Sequence, residues 1–135
     1  MQNPGNPHKT LLVTSAIIEA GAGVALILVP AMTVRLLIGV PFGMPSDAVI
    51  GRLTGAALLA LAFACWNARV DAAGVASRGL VAGMLLYNAA AAALLSYSGF
   101  NLGLAGTGLW PVALLHLVMT IWCLASLKRS RELGR

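Results

Sequence analysis

Apolar residues along this chain are gathered into four long runs, approximately Thr10 to Pro30, Ala48 to Trp66, Leu80 to Ser96 and Trp110 to Leu127. Polar and charged residues fall mostly between or beyond them. Each run is near the roughly 20 residues that an α-helix needs to cross a hydrocarbon core about 30 Å thick. The pattern therefore predicts four transmembrane helices.

The ends of the runs carry matching signals. Pro30 bends or ends the first helix, and Ala31 to Ile38 is expected at the membrane interface with Arg35 among headgroups. Pro41, Gly43 and Pro45 interrupt the next loop, after which Ser46 or Asp47 can cap the second span. Trp110-Pro111 opens the fourth span, where a missing N–H costs little. Trp110 is expected at the outer interface, and Trp66 and Trp122 near the inner one.

Composition points the same way. The 135 residues are 59% hydrophobic and 10% charged, with a mean hydropathy of +0.88. Soluble domains devote about a quarter of their residues to charge, so this chain lacks the material for a water-facing surface. The length suits one domain, residues 1–135, and leaves little for a globular part outside the bilayer. The expected fold class is all-α, an integral membrane bundle of four transmembrane helices.

Net charge is +5, but the basic residues form no patch of the kind nucleic acid requires. Lys9, Arg69, Arg78, Lys128, Arg129, Arg131 and Arg135 fall on one side of a four-span topology, and Arg35 and Arg52 on the other. The positive-inside rule places both termini in the cytoplasm. The C-terminal basic cluster is expected to anchor to anionic headgroups. The first run passes Glu19 and reaches Val29, longer than a signal-peptide core, so the first helix is expected in the mature protein. The Met1 to Pro7 stretch reads as a short disordered lead carrying His8 at its end.

Helices in lipid approach closely where side chains are small. Gly51 and Gly55 make such a pair on the second span, Gly79 and Gly83 on the third, and Gly21 with Ala25 on the first. All three are expected at helix contacts, in a compact bundle open to self-association or to a larger complex.

Candidate chemistry rests on the few polar residues inside the spans. At 1.5 Å rise per residue, Glu19 lies about 15 Å above Lys9, Asn88 about 15 Å above Arg78, and His116 about 18 Å above Lys128. Three helices thus bring Glu19, Asn88 and His116 to one depth near the midplane. Such groups mark function when they face the bundle interior, or serve as interhelical hydrogen-bonding glue. Arg52, near the outer end of its span, either snorkels to water or closes the site above Glu19. Tyr87 points elsewhere around its helix and reads as packing. Cys65 and Cys123, each beside a Trp, read as reduced packing residues.

Activated nucleophiles, phosphate loops, cofactor-binding motifs and three-ligand metal patterns do not occur. The favoured reading is a non-enzymatic accessory or small-ligand-binding bundle, with a lipid or quinone-like molecule as the ligand class. The alternative is a proton-coupled carrier or membrane enzyme using Glu19, Asn88 and His116. The stretches Ile18-Glu19-Ala20-Gly21, Gly51-Arg52-Leu53-Thr54-Gly55, Leu86-Tyr87-Asn88 and Leu109-Trp110-Pro111 with His116 resemble a group of small uncharacterised bacterial four-helix membrane proteins. A looser similarity to DoxX-like proteins extends to size and hydropathy. The resemblance implies a bacterial inner-membrane setting and no particular activity.

Overall fold

The computed structural model describes residues 7–133, so the Met1–Asn6 part of the expected lead, and Arg135 of the basic cluster, lie outside the described residues. Five α-helices follow one another: α1 Pro7–Leu28, α2 Pro30–Ile38, α3 Pro45–Ala68, α4 Val75–Asn101 and α5 Leu109–Leu133, with a single 3-10 turn, Arg69–Asp71, after α3. Four of them, all but α2, are long and apolar enough to cross a membrane.

The helices outrun the apolar runs that announce them. α4 starts at Val75, not near Leu80, and ends at Asn101 instead of Ser96; α5 continues through Lys128 and Arg129 to Leu133. Each added residue contributes a backbone hydrogen bond whatever its side chain, so a hydropathy boundary is not a helix boundary.

Local breaks follow the proline and glycine signals. Val29 leaves the helical region at φ −133° and ψ 56°, and α2 restarts on Pro30. Pro30 has no N–H to give the preceding turn. The Thr33 hydroxyl lies 3.2 Å from the Ala25 carbonyl and 3.0 Å from that of Val29, supplying a donor across the break. Pro45 opens α3, and the Asp47 carboxyl accepts the N–H groups of Gly43 and Met44 at 2.8 and 2.9 Å. Asp47 is thus the capping residue of the two expected candidates. The Arg69 guanidinium stacks on the Trp66 ring, 3.6 Å from its centroid, and also bonds to the Trp66 carbonyl.

Packing follows a narrow seam on each long helix. α3 buries Gly51, Gly55, Leu58, Ala62 and Cys65, and α4 buries Ser77, Val81, Met84 and Asn88, both at alternating spacings of four and three. That is the repeat of helices crossing at about 20°. Residues off the seam, including Leu53, Phe63, Leu86 and Ile121, are exposed. The outside is therefore bulky and apolar, and the inside small and partly polar.

The long helices associate as two close pairs, α1 with α3 and α4 with α5. Glycine sets the first. A Cβ on Gly55 would lie 2.7 Å from the Gly23 carbonyl oxygen, and one on Gly23 would lie 2.8 Å from the Gly55 oxygen. The α3 partner is Gly23 and not the expected Gly21, whose Cβ position is open because it faces outward, half a turn away. The expected contact at Gly79 and Gly83 is also absent within the chain: nothing lies within 4 Å of a Cβ on either. Both lie off the seam that Ser77, Val81 and Met84 define.

At the end formed by α2 and the α4–α5 connection, the Gly108 N–H donates to the Leu36 carbonyl at 2.9 Å. Gly106 is pressed against the Leu36 and Leu37 carbonyls with no room for a side chain, and Gly39 caps α2 at φ +82°. At the opposite end Leu11, Leu12, Cys65, Val81, Met84, Met119 and Cys123 form the continuous apolar core.

Candidate functional site

Glu19, Asn88 and His116 are 2%, 1% and 9% exposed, so all three turn inward from α1, α4 and α5. Asn88 sits on the α4 seam, four residues after Met84, and its amide N–H donates to the Met84 carbonyl at 2.8 Å. That bond fixes which end of the amide faces α5. Asn88 Oδ1 then receives the His116 Nδ1–H at 2.8 Å. With the proton on Nδ1, Nε2 is the acceptor of the neutral ring. The Thr120 hydroxyl donates to the His116 carbonyl at 2.7 Å, inside the same helix.

Glu19 joins this pair through Tyr87, whose expected role is packing alone. Tyr87 donates its hydroxyl to Glu19 Oε2 at 3.2 Å. Its ring meets that of His116 edge to face, with centroids 5.5 Å apart and planes at 87°. Consecutive helical residues point about 100° apart, which is why Tyr87 appeared unrelated to Asn88. In a bundle, that angle lets one helix serve two neighbours: Tyr87 faces α1 while Asn88 faces α5. The result is a linked set, Glu19 to Tyr87, Tyr87 to His116, His116 to Asn88.

Arg52 lies elsewhere. It is exposed, and its Nε donates to the Ile27 carbonyl at 3.3 Å near the end of α1. Of the two roles considered for it, closing the site above Glu19 does not match this position. Cys65 and Cys123 are fully buried free thiols in one core cluster, and Cys65 is within electrostatic reach of both Cys123 and Glu19. His8, expected on the flexible lead, instead occupies the first turn of α1 and is 1% exposed. Its position seven residues before Ser15 and eleven before Glu19, a one-face spacing, was the available signal. Among the described residues, no group of three His, Cys, Asp or Glu side chains could hold a metal ion.

Beside the linked set runs a groove of about 480 Å³ between α4 and α5. Ala89, Ala92, Ala93 and Ala113 form its thin floor, Leu114 and Leu117 its wall, and Trp110 and Thr120 lie toward its two ends. Trp110 also packs on Phe100, with ring centroids 4.7 Å apart. The groove is predominantly apolar, and Ala89 and Thr120 bring it alongside Asn88 and His116. In comparisons with protein families, curated proteins and solved structures, nothing matches this chain.

Proposed function

We propose that this chain is a multi-pass protein of the bacterial inner membrane, with both termini cytoplasmic, acting as a non-enzymatic bundle that holds a small amphiphile. The occupant class is a lipid or quinone-like molecule, lying in the α4–α5 groove with its polar end toward Asn88, His116 and Thr120. The groove beside the buried polar set is the observation that carries this reading. Its volume falls within the roughly 300–1,000 Å³ of small-molecule sites, and its lining is apolar apart from Ser96 toward the Trp110 end and Thr120 toward the other. The run of alanines on α4 has a physical sense here, since it keeps the groove open where bulkier side chains would fill it.

The topology rests on the distribution of basic residues, seven against two. The bacterial setting rests on the resemblance to small four-helix membrane proteins. Membership of a larger complex, as an accessory subunit, is compatible with the same groove. The test is to purify the protein from native membrane and identify co-purifying lipids and quinones by mass spectrometry. Ala93→Leu, which fills the groove floor, should release the bound species while the bundle stays folded. Identical lipid content in the two proteins would refute the groove assignment.

A second reading, proton-coupled transport or catalysis, is favoured by Glu19, a carboxyl group in the interior bonded to Tyr87. It predicts loss of transport or turnover in Glu19→Gln with folding intact. Under the groove reading, Glu19→Gln retains ligand.

A further inference from the structure

Buried polar side chains occur on only one side of the Glu19 level, where they are set among the apolar core residues Leu11, Leu12, Val81 and Met84. On α1, His8, Ser15 and Glu19 are 1%, 1% and 2% exposed. At 100° per residue they lie within an arc of about 40°, and they climb about 16 Å in all. Ser77 on α4 and Ser126 on α5, 2% and 3% exposed, face inward near the same end as His8. The Ser77 hydroxyl is engaged with the Ala68 and Asp71 carbonyls at 2.8 and 2.7 Å, where the chain turns from α3 into α4. The Ser15 hydroxyl, about 6 Å below Glu19, is buried without a hydrogen-bond partner.

On the other side of Glu19 the buried residues are Gly23, Pro30, Gly51, Gly55, Leu58 and, on the α5 side, Gly106, Leu109 and Ala113. Among the described residues, every buried polar side chain lies at the level of the Glu19 set or toward the His8 end. The glycine contacts between α1 and α3, and the seating of Gly106 on α2, close the apolar side at backbone distance.

A buried hydroxyl without a protein partner costs about 1–3 kcal/mol, which a water molecule relieves. A carboxyl group in the interior exchanges protons only where water or polar side chains reach it. The geometry points to a one-sided proton route: Glu19 exchanges protons, through water at Ser15 and the His8 level, with the aqueous phase at the end carrying the Ala72–Gly74 turn, and is sealed from the α2 end. This inference rests on the membrane-spanning reading above and adds a direction to it. Of the titratable groups around this route, Tyr87 from α4 bonds to Glu19 and Cys65 from α3 lies within electrostatic reach of it; His116 from α5 packs on Tyr87, Cys123 from α5 lies within reach of Cys65, and Arg78 lies within reach of His8.

The test uses the full chain in sealed membrane vesicles of both orientations and a hydrophobic carbodiimide, dicyclohexylcarbodiimide, which adds to protonated carboxyl groups. Adduct on Glu19 is read by mass spectrometry, with Glu19→Gln as the assignment control. The pH is set independently on the two sides. Ala73→Cys, labelled by an impermeant thiol reagent, reports which aqueous phase bathes the turn. Labelling of Glu19 should follow the pH on the Ala73 side, falling by up to about tenfold per unit as that side is made alkaline, and should ignore the other side. After a pH jump, Ser15→Val should slow the approach to the new rate several-fold; Ser15→Ala serves if the larger side chain prevents folding.

Labelling that follows the α2 side, follows both sides equally, ignores both or never occurs overturns the route. Equilibration as fast as in the parent in every folded Ser15 variant overturns the part assigned to that hydroxyl. If Ala73→Cys labels from outside the cell, the cytoplasmic placement of the termini fails while the route stands, because it is defined relative to the turn.

Discussion

Replacing Gly55 tests the backbone-distance contact between α1 and α3. In an unpacked helix, alanine is favoured over glycine by about 1 kcal/mol. At Gly55 the added carbon would lie 2.7 Å from the Gly23 oxygen, 2.9 Å from Ile27 Cγ1 and 3.0 Å from Leu26 Cβ. Two of those obstacles are the backbone and a Cβ, which have no rotamer to move to, so α1 and α3 must separate. Overpacking of this kind costs about 1–3 kcal/mol, which leaves Gly55→Ala about 0–2 kcal/mol less stable after the propensity gain. Gly55→Leu should lie at or beyond the upper end, because three further carbons enter the same seam. Gly83 supplies the control. Its Cβ position is open, so Gly83→Ala should be neutral or gain up to about 1 kcal/mol. The assay is unfolding of the purified variants in one detergent, followed by far-UV circular dichroism against temperature and against added SDS. A Gly83→Leu protein that loses as much as Gly55→Leu, or a Gly55→Leu protein that unfolds like the parent, would refute the α1–α3 assignment.

Three further outcomes are expected. His116→Leu leaves the Asn88 oxygen without its donor and should cost about 1–2 kcal/mol; adding Asn88→Leu to it should cost less than the two single losses together, and strict additivity in the same unfolding assay would show that the two side chains do not interact. Tyr87→Phe removes the hydroxyl bonded to Glu19 but keeps the ring against His116, so it should lower stability by about 0.5–1.5 kcal/mol and leave the coupling between Asn88 and His116 unchanged. For topology, cysteines at Ser46 and Asn101 should react with an impermeant reagent in intact cells and one at Ala73 only after permeabilisation; the reverse pattern would invert the orientation. Ala73 is preferable to Gly74, where a Cβ would collide with the Asp71 carboxyl.

The four long helices were legible because hydropathy over some 20 residues is a strong signal. Depth was legible too: counting residues from Lys9, Arg78 and Lys128 placed Glu19, Asn88 and His116 at one level, and all three face inward. Orientation around each helix was harder to read. In a soluble protein a polar face and an apolar face give it away, but here both Leu86 outside and Met84 inside are apolar. The information lay in side-chain size. Gly51, Gly55, Leu58, Ala62 and Cys65 repeat at four and three, and that spacing singles out the α3 seam; on α4 the Gly79 and Gly83 pair competed with the Ser77 and Asn88 register, and the polar residues marked the true interior. Tyr87 was misread because its partner is on α1, a relation that no periodicity within α4 contains.

The division into α1–α3 and α4–α5 pairs bears on how the protein is made. Each pair joins helices that emerge from the ribosome in succession, with only the short α2 interposed in the first, and each has its own internal fastening: facing glycines in one, an asparagine and a histidine in the other. The first pair can close before the second is synthesised, since no later residue is needed for the Gly23–Gly55 contact. Tyr87 meets Glu19 only where the two halves join, so a chain arrested after α3 would leave the Glu19 carboxyl without that hydroxyl.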